Sequence, residues 1–211
     1  GVAIPALHPD LCGPTALVMD FVDGRRFDDP GLDPELAHEA VAHTVRALYA
    51  MLFQHGLVHC DLHPGNVLLT GDGAVALLDF GYVARLTLAQ QDAFAKLFVA
   101  MALDDAASAT AVIVDTAAKL PANLDRAALQ VELGRHVSQA SGVTAEHFSI
   151  ARFVAGLFAI QHRHGIVAAP DFAMSIMALM TLEGLILQLA PQLDFQREAL
   201  PFVLKRTALA A

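Results

Sequence analysis

Three oxygen-bearing side chains, Asp61, Asn66 and Asp79, stand at spacings that suit the handling of a metal-bound phosphate. Transfer of a phosphoryl group asks little covalent chemistry of a protein. It needs oxygen ligands for magnesium ions that bridge the phosphates, and a carboxylate beside the attacking hydroxyl or water. Asn66 follows Asp61 by five positions in one loop that also holds Pro64 and Gly65, and Asp79 follows Asp61 by eighteen, at the head of a second loop. The three together could share the parts of base or water-orienting group and of metal ligands. Magnesium and ATP are then the expected cofactors. His59 reads first as a buried residue that orients the loop through backbone bonds, and second as a proton-transfer group. His63, beside Pro64 and Gly65, reads equally as a loop-shaping or a functional residue.

Such a site requires the two loops to lie side by side, and the flanking pattern supplies the means. The runs 66–70 and 74–78 are short and apolar and are separated by Gly71-Asp72-Gly73, which predicts a β-hairpin. Upstream, Asp33 is a good N-cap and Pro34 fits the first helical position. Val41, Val45, Leu48 and Leu52 then recur at helical spacing until His55-Gly56. Thr15 to Val22, rich in β-formers and followed by Asp23-Gly24, predicts a strand. Beyond Thr87 the pattern is helical. Thr87 and Gln90 form a capping-box signature, with Phe94, Leu97, Phe98 and Met101 behind it. Further helices are expected near 105–118, 123–140, 147–164 and 171–190, broken at Pro121, Gly142 and Gly165. The fold class is α+β, mostly α, with a short hairpin at the site.

Composition narrows the partners. A net charge of −9, with 22 acidic against 13 basic residues, leaves no clustered Lys and Arg for a nucleic acid or an anionic lipid surface. Cys12 and Cys60 make no disulfide framework and no zinc pair, which suits a reducing compartment. The most apolar stretch, Phe172 to Ala190, carries Glu183 near its middle and therefore reads as a buried core helix rather than a membrane span.

The order His59-x-Asp61-x-x-x-x-Asn66, then a hairpin, then Asp79-Phe80-Gly81, matches the catalytic and metal loops of kinases. Met19-Asp20-Phe21-Val22 occupies the place of the segment joining the two kinase lobes. Its backbone groups are expected to pair with the adenine edge, with Leu68 as a further nucleotide contact. The runs HCDLHPGNVLL and VALLDFGYVARL resemble the signature of the UbiB/AarF/ADCK atypical kinases. PALHPDLCGPTALVMDFVDGRRF and RHGIVAAPDFAMSIMALMTLEGLILQLAPQLDF extend the resemblance over most of the chain.

The resemblance implies a protein-kinase-like C-terminal lobe, with residues 1–24 as the end of the N-lobe and hinge strand and 25–211 as the helical C-lobe. It implies a magnesium- and ATP-dependent kinase or ATPase that supports ubiquinone biosynthesis, with Asp61 as catalytic aspartate and Asn66 and Asp79 as metal ligands. A cytoplasmic protein, or one peripheral at the inner membrane face, is expected, with any membrane association made through parts of the parent not present here. Leu62 departs from the Pro of many members. Leucine there also fits aminoglycoside and choline phosphotransferases, which stand as the alternative along with a non-catalytic lobe that binds a lipid or a partner. The phosphate-covering loop, the strand Lys and the K-x-G-Q helix are not found before Met19. The expectation is therefore a large lobe that needs its N-lobe and has little activity alone. Only Tyr82 to Leu86 separate Gly81 from Thr87, and Cys60 stands where regulated kinases carry Arg, so the expected substrate is a small molecule, a lipid or water.

Overall fold

Asp33 opens the first long helix through its Oδ1, which accepts the amide of Glu35 at 2.8 Å and that of Leu36 at 3.5 Å. Helix α1 then spans Pro34–Ala50. The computed structural model describes residues 1–140 and 149–210. Val41, Val45, Leu48 and Leu52 are fully buried, as a one-faced apolar stripe requires. The final turn widens into a π-helical segment, Met51–His55, a rare form in which each amide reaches one residue further back. Gly56 closes it at φ +65°, a left-handed conformation open to glycine.

Strands β1 (Val2–Ala3), β2 (Gly24–Arg26), β4 (Val67–Thr70) and β5 (Val75–Leu77) form one sheet in the order β1-β5-β4-β2. The expected hairpin is β4 and β5, with Val67 opposite Leu77 and Leu69 opposite Val75. A second pair, β3 (Leu57–His59) with β6 (Val83–Arg85), sets Val58 against Ala84 and His59 against Val83. These two ladders bring the loop after β3 beside the loop after β5.

Thr15 to Val22 does not form the expected strand. Thr15 lies in a turn and the rest makes only single bridges, Leu7 to Met19 and Gly13 to Ala16, and backbone bonds at His8 N to Val18 O and Asp20 N to Ala6 O. β-Propensity needs a partner ladder to become a strand, and among the described residues this run meets only single bonds and bridges from residues 6–8 and from Cys12 and Gly13.

The helical body follows: α2 (Leu88–Leu103), α3 (Ala106–Asp115), α4 (Arg126–Ala140), α5 (Ile150–Arg163), α6 (Pro170–Leu189) and α7 (Phe195–Ala210), with a small antiparallel pair of β7 (Ala117–Lys119) and β8 (Val167–Ala168). Both bonds of the capping box at Thr87 are present. The break expected at Gly142 lies outside the described residues. Helix α7 is not among the individually expected helices; Pro201 falls inside it, and proline gives up an interior amide. Its packing on α1 and α2 holds it regardless. The helices form a closed cycle of neighbours, α1-α6-α5-α4-α3-α2-α7-α1.

Tyr49 anchors the join of α1 and α7. Its ring lies 5.3 Å from Phe195 and 5.9 Å from Phe202, and its hydroxyl donates to the Phe195 carbonyl at 2.9 Å. Burial, ahead of nearby Glu198 and Asp194, pushes the phenol well above its ordinary range. Helix α6 is, among the described residues, the one helix long and apolar enough to cross a membrane, but half of its most apolar window is buried inside the fold. Its buried Glu183 accepts the amides of Ile150 at 2.8 Å and Ala151 at 2.7 Å. The carboxylate thus caps α5 from a neighbouring helix and meets the positive end of its dipole.

Candidate active site

His59 joins the two loops. Its ring is fully buried; Nδ1 accepts the amide of Asp61 at 3.1 Å, and Nε2 donates to the Leu78 carbonyl at 2.8 Å. A ring that accepts at Nδ1 and donates at Nε2 is a neutral imidazole in one tautomer. The Phe80 ring packs edge-on against it with centroids 4.8 Å apart, a contact that sequence pattern does not announce.

Asn66 is held on the other side. Its amide nitrogen donates to the Asp61 carbonyl at 3.0 Å and approaches the Asp61 carboxylate at 3.5 Å. Its backbone carbonyl accepts the Leu78 amide at 2.8 Å. The Asp61 carboxylate is about half exposed, with His63 Nε2 at 3.8 Å from Oδ2. His63 Nδ1 accepts the Gly65 amide at 2.9 Å, which folds the loop.

Asp79 follows directly on Leu78, whose amide and carbonyl are tied to Asn66 and His59. It takes a left-handed backbone, φ 51°, that a non-glycine residue adopts at a cost. Its Oδ1 eases that cost by accepting the Gly81 amide at 3.1 Å. The structure thus brings the Asp61 and Asn66 side chains into contact. It places Asp79 beside them through backbone bonds, with no hydrogen bond from its carboxylate to either one among the described residues.

The donor set is oxygen. The Asn66 amide nitrogen is spent on Asp61, which leaves its Oδ1, and Asp79 retains Oδ2; both are hard donors of the kind magnesium takes, alongside phosphate oxygens and water. Among the described residues no three His, Cys, Asp or Glu side chains form a self-contained metal cage. A site with one carboxylate and one amide instead suits an ion that arrives with a nucleotide.

The other residues singled out from sequence lie further out. Met19 is partly exposed and bridges to Leu7, Asp20 meets His8 Nε2 at 2.8 Å, and Phe21 is 92% exposed. Val22 leads into β2, whose Arg26 pairs with Leu68 on β4. Leu62 is fully buried, so its identity answers to packing. Cys60 is buried as well and its thiol donates to the Val58 carbonyl. Desolvation pushes that thiol up, away from the reactive thiolate.

The profile of the ABC1 atypical kinase-like domain matches residues 1–113, more than half of the chain. The chain belongs to the ABC1 atypical kinase family. The UbiB helical domain matches residues 133–194 of the same chain. Among relatives of this ABC1 chain is the Arabidopsis thaliana protein named ACTIVITY OF BC1 COMPLEX KINASE 1, chloroplastic. It is 30% identical over 212 residues, which cover 97% of this chain and 30% of that protein. An uncharacterised Synechocystis protein is 25% identical, over 97% of this chain and 37% of its own length. An Arabidopsis protein named as an uncharacterised aarF domain-containing protein kinase, chloroplastic, is 24% identical over 97% of this chain and 29% of its own. The ABC1 chain thus spans about a third of the length of these relatives.

Proposed function

We propose that this chain is the large, helical lobe of a magnesium- and ATP-dependent phosphotransferase or ATPase of the UbiB type, acting in the biosynthesis of ubiquinone or a related isoprenoid quinone. The contact between Asn66 and Asp61 is the observation that carries this reading. It sets the Asn66 side-chain amide, whose oxygen is not used by either bond, next to a half-exposed carboxylate, the arrangement that a base and a metal ligand would share.

Magnesium, when bound with ATP, would draw charge from the phosphates. On this reading Asn66 Oδ1 and Asp79 hold it, and Asp61 orients the attacking hydroxyl or water and takes its proton. His59 touches no substrate; it fixes the amide of Asp61 and the carbonyl before Asp79, so that both loops move as one body. Residues 1–24 carry the approach from the N-lobe, and Met19, Asp20, Phe21 and Val22 offer backbone groups to adenine.

Two observations favour a small molecule, a lipid or water over a peptide as acceptor. The whole stretch Val83–Arg85 is consumed in pairing with β3, which leaves no long segment to lay a peptide on the site. Cys60, buried and uncharged, has no means of holding an activation-loop phosphate. The test is magnesium-dependent ATP turnover by the full-length parent with and without Asp79→Asn. Turnover lost in the variant supports the reading, and equal rates remove it.

A further inference from the structure

A cavity walled by the helical body lies away from the Asp61 loop. About 700 Å³ of space lies between α2 and α7 on one side and α5 and α6 on the other, helices that are neighbours pairwise but face each other across the cycle. The wall is carbon: Phe94 and Leu97 from α2, Val154 and Leu157 from α5, Leu179 from α6 and Val203 from α7. All six are buried. Close-packed interiors do not leave voids of this size, whereas the volume falls in the range of small-molecule sites, which are mostly apolar with a few polar groups that set orientation.

The mouth supplies those polar groups. Leu103, Leu200 and Leu204 line it at 72%, 52% and 64% exposure, and Asp194 and Arg197 are its charged residues among those described. Asp194 is committed to the start of α7, where its Oδ1 accepts the Arg197 amide at 2.9 Å. The Arg197 side chain is exposed, and among the described residues no carboxylate pairs with it. Nearby arginines are engaged: Arg46 with Glu198 at 2.6 Å and Arg206 with Asp92 at 2.6 Å. An apolar chamber with one unpaired guanidinium at its rim matches one kind of ligand. A neutral hydrocarbon gains nothing from Arg197, and a small soluble anion gains nothing from the wall.

We propose that this cavity binds a single-chain anionic amphiphile of the fatty-acid type, its carboxylate forked onto Arg197 and its chain laid among the leucines and phenylalanines of α2, α5, α6 and α7. The site is separate from the Asp61 loop and does not depend on nucleotide.

The experiment titrates the protein with cis-parinaric acid, a fluorescent long-chain fatty acid, and with its uncharged methyl ester. Saturable binding of the acid is expected. Leu157→Trp, which fills the chamber, should weaken it about tenfold or more, and Leu204→Trp, at the exposed mouth and harmless to the core, should do the same if the first variant fails to keep its helical circular dichroism. Arg197→Gln should weaken the acid about fivefold and leave the ester unchanged. Absence of saturable binding, or wild-type affinity in a folded Trp variant, overturns the site. Equal loss of acid and ester in Arg197→Gln overturns the role of the charge.

Discussion

The Nε2–H of His59 reaches across two loops to the carbonyl of Leu78 at 2.8 Å, while Nδ1 of the same ring holds the amide of Asp61. Replacing this ring with an apolar one of similar size strands a part-buried carbonyl and a part-buried amide. His59→Phe should therefore lower stability by about 2 kcal/mol, read from urea unfolding. Because Asp79 follows Leu78, the variant should also lose magnesium-dependent nucleotide affinity, and nucleotide binding that stays at the wild-type level would show that the joint does not position the second loop.

Glu183 sits in the most apolar helix of the chain, yet both of its oxygens are taken by the first amides of α5. Glu183→Gln keeps one acceptor and loses the charge at the helix start, and should cost about 1–2 kcal/mol. Glu183→Leu, although better matched to its neighbours by hydropathy, leaves two buried amides without acceptors and should cost about 3 kcal/mol or more. A leucine variant as stable as wild type in urea would mean that the cap contributes nothing.

Much of this was legible because local rules decided it. The N-cap at Asp33, the capping box at Thr87 and the Gly-Asp-Gly hairpin all act over a few residues, so pattern and outcome agree. The spacing of Asp61, Asn66 and Asp79 could be read for the same reason, since the hairpin between them has little freedom of register. What escaped is tertiary. β3 and β6 are three residues each and exist only because they find one another. Helix α7 survives Pro201 through its packing on α1 and α2, and the run from Thr15 to Val22 lacks the neighbour that its composition anticipates. Glu183 signalled an unusual environment, but only the fold reveals that its partners are backbone amides 32 and 33 positions away.

Gly56 ends the π-helical turn in the left-handed region. A Cβ there would meet the Gln91 side-chain amide and stand 2.6 Å from the Leu86 carbonyl oxygen. The backbone at this junction of β3 with the approach to α2 has no room to shift, since Leu86 N donates to the Gly56 carbonyl at 2.7 Å. Gly56→Ala should therefore cost about 2 kcal/mol or more, with a matching drop in the thermal midpoint; an unchanged midpoint would show that this junction yields freely.

His43 supplies a dependence on pH. Burial of its ring, ahead of the positive charge of Arg46, holds its pKa below the ordinary histidine value, with Glu39 pulling the other way. Its Nδ1 is buried and has no hydrogen-bond partner among the described residues. The unfolded chain takes up the proton more readily than the folded one, so the stability is fully present above about pH 6.5 and is lost as pH falls below it. The urea midpoint should drop between about pH 7.5 and 5.5, and His43→Leu should make that drop shallower; equal slopes would assign it to other groups.

The two aspartates of the candidate site should fail in different ways. The Asn66 amide nitrogen bonds chiefly to the Asp61 backbone carbonyl, at 3.0 Å, and only weakly to its carboxylate, at 3.5 Å. Asp61→Asn therefore leaves Asn66 in place and removes only the proton acceptor. In the full-length parent, turnover should fall about 10²–10⁴-fold, while magnesium-nucleotide affinity stays within about threefold. Asp79→Asn also keeps an oxygen for the Gly81 amide, so the left-handed turn persists, but it strips a negative charge from the metal side. Magnesium-nucleotide affinity should then fall about tenfold or more before chemistry is considered. Calorimetric titration with magnesium and a non-hydrolysable nucleotide separates the two outcomes. If both variants lost affinity equally, the division of labour between base and metal ligand would have to be abandoned, even with turnover abolished in each.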